Sequence, residues 1–474
     1  MSARAQLHIE IQERRRMPNV GIVGGGMLGL TLAYRMRQRG YNVTLFESSH
    51  LPGGLAAPSA IGPFAYDRFP HVLLQSDGHL HDLVHEVGIA DRLRWGLSRA
   101  GLYIGGRLHA LSSPLDYRHF AALTPLDKIR VALTMRRVRH LRDGTSLESS
   151  GAVEWLVNWS GRRAYERYWM PLLNAVAGES HIDASAAIVR TLVQRLYGTS
   201  RTGHRRAVYG YLEGGAAGLL QTLGPLLGSL GVRLELSATV TRVVDDTHAA
   251  SILLQDGRIA NFDHVVVTTA TPLTARLCPQ LSDAERARLE GVTYNGIVAL
   301  SVLLRKPLGA MYRTGIASSG MPFNAVVEAT TLTTPNAFGG ATLVYLPRFV
   351  AQHDSYWSLS DMALRHRFMA ALGVMYPHLG RRDVIAWDIA RSRHAIPVVT
   401  RNYTRDLLPA LATSRPRIHL VNSAQCASGV LNLNDLVGLA NAQSARLDER
   451  FAQMHSNGTR PVAVLADVSS EGRQ

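Results

Sequence analysis

Apolar and polar positions along the chain alternate with two different periods, and the order of those periods predicts the architecture. A short apolar run at 20–23 breaks into glycines, resumes with helical spacing over 30–39, stops at Gly40 and continues as a second strand-like run at 41–46. Strand, glycine turn, helix, strand is the order that builds a parallel sheet. Further strand signals lie at 231–243, read as a strand pair, at 263–269 and at 418–421, whereas 153–165 carries the densest helical signal. The runs 296–304, 325–329 and 341–346 read as strands of an antiparallel sheet. In 125–142, Leu126, Ile129, Ala132, Leu133, Met135 and Val138 interleave with Lys128, Arg130, Arg136, Arg137 and Arg139. Helical spacing there predicts one apolar and one basic face.

The first break carries chemistry. Gly24-x-Gly26-x-x-Gly29, with Met27 and Leu28 in the gap, sits between strand and helix, and Glu47 closes the second strand. Gly24 permits the tight turn, Gly26 lets backbone approach a pyrophosphate, and Gly29 lets helix and strand pack closely. The helix N-terminus offers free N–H groups and a positive dipole to phosphate. Glu47 stands where a carboxylate accepts hydrogen bonds from ribose hydroxyls. A second glycine pair follows in Gly53-Gly54-Leu55.

Glu47-x5-Gly53-Gly54 resembles the extended fingerprint of the flavin-dependent amine oxidase superfamily. Its members include monoamine oxidases, protoporphyrinogen oxidases, phytoene desaturases and UDP-galactopyranose mutases. The likeness continues through Phe64-Ala-Tyr-Asp67-Arg-Phe-Pro-His71, Leu102-Tyr-Ile-Gly-Gly-Arg, Tyr209-Gly-Tyr-Leu-Glu-Gly214-Gly215, and 263–272. It closes with 418–436, where Asn422-Ser423 replaces the Gly-Asp of many relatives. The protoporphyrinogen oxidase branch is the most similar. The resemblance implies FAD as cofactor and contact of the adenine with the backbone at Val240. It implies an α/β fold, a Rossmann-type FAD-binding domain with a discontinuous α+β substrate domain. The FAD domain is expected at 17–60, 205–275 and 385–450, and the substrate domain at 61–204 and 276–384. The stretch from Gly210 to Gly218 lacks the spacing of a second nucleotide fingerprint, so no dedicated NADPH domain is expected.

Composition narrows the alternatives. A chain of 474 residues with 46% hydrophobic content buries one large core or two smaller ones. Its two cysteines, Cys278 and Cys426, exclude a disulfide scaffold and a four-cysteine metal site. No His/Cys/Asp/Glu grouping has metal-ligand spacing, and no Gly-x-Ser-x-Gly elbow marks a hydrolase. Cys426 reads as a small buried thiol, with covalent flavin attachment as the alternative. Net charge is +15, carried almost wholly by arginine, since Lys128 and Lys306 are the only lysines. Arginines cluster at 136–139, 162–163, 201–206 and 381–382. An anionic substrate, an anionic membrane surface and plain solvated surface all accommodate such clusters. No nucleic-acid motif accompanies them, so no nucleic-acid partner is expected.

The basic helix at 125–142 suits peripheral membrane contact and equally suits packing on the substrate domain with arginines in water. Residues 1–16 and 460–474 read as disordered tails without a secretory signal. No run of about 18 apolar residues predicts a spanning helix. The simplest placement is cytoplasmic, with peripheral contact on the inner face of the membrane as the variant.

The resemblance makes His71 the leading catalytic candidate, placed where the chain passes the flavin and able to donate to the ring or shuttle a proton. A histidine satisfied within the core is the other reading. Tyr345, on a roofing strand, is a candidate substrate wall; core packing is its alternative. His394 is a weaker candidate. Neither lysine sits where classical amine oxidases place one, which argues against ordinary amine oxidation. The expected activity is removal of hydride from a C–H or C–N bond of a small apolar or polycyclic molecule, with oxygen or a quinone as electron acceptor. A redox-neutral flavoenzyme acting on a sugar nucleotide and a non-enzymatic flavin-fold scaffold are the alternatives.

Overall fold

The computed structural model describes residues 17–141, 145–198, 207–246, 248–318, 320–333, 336–430 and 432–456. The expected tails and the arginine cluster at 201–206 lie outside the described residues.

Five strands among the described residues form a parallel sheet in the order Ile418–Leu420, His264–Val267, Asn19–Val23, Asn42–Phe46, Arg233–Glu235. Val20, Ile22 and the whole of His264–Val267 are buried, as befits strands covered on both faces. Helix Met27–Gln38 packs on one side with the long helix Leu433–Ser456 beside it; Tyr41 donates to Asp448 at 2.8 Å between them. All five strands end on one edge. That edge gathers Gly24, Glu47, Thr268 and Asn422, which lie at or just beyond the carboxyl ends of four different strands. Ligands of open α/β sheets bind in the crevice at such an edge.

The segment at 231–243 does not form a strand pair with itself. Arg233–Glu235 joins the parallel sheet, and Val240–Asp245 joins a separate antiparallel ribbon with Ala250–Leu254 and Ile259–Phe262. Each strand finds its hydrogen bonds with a different neighbour because Ser237, in the left-handed region at φ 52°, turns the chain between them.

The second large sheet runs Val384–Pro397, Tyr294–Leu304, Thr342–Val350, Ala325–Glu328, Met311–Ile316, Leu93–Ile104, Arg107–Ala110, with Ala207–Leu212 paired to Leu93–Ile104. It is antiparallel except where Met311–Ile316 lies parallel to Leu93–Ile104. Every residue of Tyr294–Leu304 is buried. Helix Asp361–Met375 covers one face through Leu364, Phe368 and Leu372. A helical layer follows the 125–198 segment, its core built on Trp169, Leu156 and Val189.

Helix Pro125–His140 packs Met135 and Val138 inward as expected but turns the 126–133 part of its expected apolar face outward. Its buried face is Asp127, Val131, Thr134 and Val138, while Leu126, Ile129 and Leu133 are exposed at 56%, 58% and 59%. The polar residues are inside because tertiary partners satisfy them. Asp127 closes a capping box with Thr124 and pairs with Arg163 at 3.4 Å, and Thr134 meets the Ser160 hydroxyl at 2.8 Å.

Candidate functional site

The glycine turn leaves room at the start of a helix. A Cβ on Gly29 would stand 2.0 Å from the Gly24 carbonyl oxygen, so only glycine lets the helix start this close to the strand. At Gly26 the same test meets nothing within 4 Å; the space before the helix is open. Gly26 is the N-cap, no side chain caps the helix, and its first turn carries no acid. The N-terminal N–H groups are thus left for an anion. Met27 and Leu28 are buried and anchor that turn in the core.

Glu47 reaches back across the edge. One carboxylate oxygen accepts from Gly25 N at 2.7 Å and the other from Ser49 N at 2.9 Å. The second glycine pair lies against the first: Gly53 N donates to Gly25 O at 2.7 Å, with Gly53 at φ +124° and Gly54 at φ +58°. Leu55 packs beside Phe69, Ile297 and Ile396. Val240 opens its strand and packs on the cluster that holds Phe46. Asn422 is fully buried, yet its side-chain nitrogen and oxygen have no partner in the protein. Ser423 hydrogen-bonds the Tyr294 hydroxyl. An uncapped helix, a bare glycine cradle, an acid at the strand end and an orphaned buried amide fit a dinucleotide, whose pyrophosphate the turn at Gly26 would hold.

His71 stands between two cavities. One, of about 450 Å³, is lined by Tyr66, Asp67, Tyr312, Phe338, Leu343 and Tyr345 among others; the second, of about 140 Å³, by Arg195, Arg313, Ile297, Phe349, Ile396 and Val430 among others. His71 lines both. Its ring hydrogen-bonds the Leu55 backbone, and its Nε2 is buried without a partner. Burial pushes the His71 pKa below its ordinary value, with Asp67 opposing that shift, so the ring is neutral at physiological pH.

Asp67, one residue of the 64–71 motif, shows its role only in three dimensions. Its carboxylate accepts from Ala216 N at 3.1 Å and Ala217 N at 3.2 Å, in the first turn of helix Gly215–Ser229. A Cβ on Gly215 would stand 2.4 Å from that carboxylate, which explains the glycine. The Asp67 carbonyl takes the Tyr345 hydroxyl at 2.9 Å. Tyr345 is therefore both buried and cavity-lining, and burial raises its pKa well above the ordinary phenol value.

His394 packs edge-on against Tyr294 at 5.6 Å and lines neither cavity. Lys128 donates to the Arg118 carbonyl at 2.6 Å, and Lys306 pairs with Asp383 at 3.3 Å; neither lines these cavities. A wider cleft of about 1160 Å³ shares Asp77, Arg195, Asn432 and Asn434 with the smaller cavity and is lined also by Cys426 and by Arg139 of helix Pro125–His140. Burial pushes the Cys426 thiol up to about 12, which suppresses its thiolate. No group of three or more metal-ligating side chains occurs among the described residues.

Residues 28–431 match the family described as flavin containing amine oxidoreductase. A 4,4'-diapolycopen-4-al dehydrogenase of Metabacillus indicus is 23% identical over 301 residues, 56% of this chain and 58% of that protein. A hydroxyneurosporene desaturase of Cereibacter sphaeroides is 26% identical over 310 residues, 53% of this chain and 56% of that protein. The chain thus spans a little over half the length of these two relatives. Among solved structures, a candidate protoporphyrinogen oxidase of Exiguobacterium sp. 255-15 superposes with a TM-score of 0.73 over 92% of this chain and 99% of its own, at 20% identity. At that identity the likeness speaks for the fold.

Proposed function

This chain belongs to the flavin containing amine oxidoreductase family, with FAD as its cofactor, and on that premise we propose that it removes hydride from a carbon, whether bonded to carbon or to nitrogen, of a small, apolar or polycyclic molecule. The observation that carries the proposal is the adjacency of the glycine cradle to an apolar cavity through His71, whose ring is tied to Leu55, next in sequence to the second glycine pair. Bound FAD supplies the two-electron acceptor, and oxygen, a quinone or another acceptor then takes the electrons.

The chain's own groups bind, orient and shield. The uncapped helix N-terminus takes the pyrophosphate, and Glu47, already held by Gly25 and Ser49, takes the ribose hydroxyls. Val240 and Asn422-Ser423 serve the rest of the cofactor from neighbouring strand ends. Tyr66, Tyr312, Leu343 and Tyr345 wall the substrate and exclude water. His71, kept neutral by burial, accepts or returns a proton at Nε2. The absence of lysine from both cavities favours C–H over amine substrates.

The surface beside the wide cleft suits contact with a membrane. Among the described residues no helix is long and apolar enough to cross a membrane. Helix Pro125–His140, however, presents Leu126, Ile129 and Leu133 outward, flanked by Lys128, Arg130, Arg136 and Arg137, and its Arg139 lines the wide cleft. An apolar ridge with basic margins suits an anionic bilayer interface from which an apolar substrate enters.

The purified full chain, incubated with FAD and freed of excess, is expected to be yellow and to release FAD rather than FMN on acid treatment. A folded protein that stays colourless would overturn the proposal.

A further inference from the structure

Arg313 is a largely buried guanidinium that no carboxylate pairs with among the described residues. It lies on Met311–Ile316 of the large sheet, opposite Val327, and one of its Nη atoms donates to the Ala175 carbonyl at 2.7 Å. Among the described residues no carboxylate pairs with it: Asp77 is taken by Arg195 at 3.5 Å, and the Asp67 carboxylate by two N–H groups of helix Gly215–Ser229. Burial lowers its pKa from the ordinary arginine value; Tyr209 and Tyr312 beside it oppose that shift, and the charge of Arg195 adds to it. Enclosing one unpaired charge is costly, and turning a second guanidinium toward the same cavity adds repulsion. An anionic ligand relieves both.

The surroundings say what the rest of that ligand is like. Arg313, Arg195 and Asp77, the last paired with Arg195, line the 140 Å³ cavity, which shares Pro70, His71, Leu73, Leu80, Val327 and Leu433 with the apolar 450 Å³ cavity. A single molecule can therefore place a charged end and a hydrocarbon body on opposite sides of His71.

We propose that Arg313, with Arg195 beside it, is the anion-recognising end of the substrate cavity, so that the substrate is an apolar molecule bearing a carboxylate or a phosphate. The acid group lies on the Arg313 guanidinium, and the hydrocarbon body crosses His71 into the larger cavity. Arg313 then fixes which carbon faces the reacting position, a specificity-determining role through bidentate recognition. This inference rests on the assignment of these cavities to substrate made above.

The test is calorimetric titration of the FAD-loaded full chain with decanoate, decyl phosphate, decanol and decylammonium, with no turnover. At least one of the two anions is expected to bind one per chain, about tenfold or more tighter than decanol, the scale of a charge-assisted hydrogen bond. The preferred anion tells a carboxylated from a phosphorylated substrate. Arg313→Met should erase the preference for the anion while leaving decanol binding and flavin content unchanged, and Arg313→Lys should retain part of it. Decanol binding as tightly as both anions in the wild-type protein overturns the proposal, as does a preference that survives Arg313→Met. If Arg313→Met fails to fold, the wild-type comparison decides alone, and Arg195→Met should lower anion affinity independently. Because flavin reduction is not read, an anion-binding protein that no substrate reduces counts against the oxidoreductase proposal and leaves this one standing.

Discussion

The Tyr345 hydroxyl donates to the backbone carbonyl of Asp67 at 2.9 Å, while the carboxylate of the same Asp67 caps helix Gly215–Ser229. One residue thus joins the large sheet to a helix beside the parallel sheet, on the wall of the apolar cavity. Tyr345→Phe deletes a single hydrogen bond and leaves the Asp67 carbonyl without that donor. The expected loss is about 1 kcal/mol of stability, read as a lower Tm in calorimetry, with FAD content unchanged. A Tm equal to wild type would mean that the bond holds nothing.

The two glycines of the turn should fail differently. Gly26 faces open space and Gly29 faces a carbonyl at 2.0 Å. Gly26→Val should abolish FAD binding while the cofactor-free protein keeps its helical circular dichroism. Gly29→Ala should lower the Tm of the cofactor-free protein itself. The comparison is a pair of thermal melts without FAD beside a pair of equilibrium FAD titrations. Gly26→Val binding FAD as wild type does would remove the pyrophosphate from this turn.

Acid should find a weak point under the parallel sheet. Burial, helped by the charge of Arg450, lowers the pKa of His419 to about 3 from its ordinary 6.5, so the folded protein keeps the ring neutral. The unfolded chain takes up a proton near pH 6.5 that the folded one refuses. Stability contributed by the neutral ring is therefore complete above that pH and lost as pH falls from 6.5 toward 3, by up to about 1.4 kcal/mol per pH unit. Melts between neutral pH and the acid limit should show a shallower fall in Tm for His419→Gln than for wild type. Parallel curves would contradict the assignment.

The helix at the cleft makes a separable prediction. Ile129→Glu and Leu133→Glu place charge on exposed positions, so the fold and FAD content should not change. Binding to vesicles containing phosphatidylserine should fall several-fold, and neutral phosphatidylcholine vesicles should bind weakly throughout. Equal sedimentation of wild type and variants with anionic vesicles would leave the ridge without a membrane role.

Much of the fold is legible from local pattern because its signals are local. Strands Asn19–Val23 and Asn42–Phe46 and the helix between them follow from period and glycine spacing, and the roofing strands Tyr294–Leu304, Ala325–Glu328 and Thr342–Val350 fall where branched apolar runs predict them. The facing of helix Pro125–His140 is not legible. Asp127 and Thr134 look like solvent residues until Arg163 and Ser160 arrive from elsewhere in the chain. The same holds for the site. Glu47 reads from its position after a strand, whereas Asp67 meets Ala216 from 149 residues away. Arg313 is one arginine among many in a sequence and becomes distinctive only because no carboxylate among the described residues pairs with it.

FAD-dependent oxidation of a substrate is the activity we propose for this chain. Its most direct test is anaerobic spectroscopy of the FAD-loaded protein mixed with a metabolite extract of the source cell. The oxidised flavin absorbance is expected to bleach, an added acceptor to restore it, and His71→Ala to slow the bleaching more than it weakens FAD binding. Turnover of the true substrate only when the flavin has been reduced beforehand, with no acceptor consumed, would contradict the proposal.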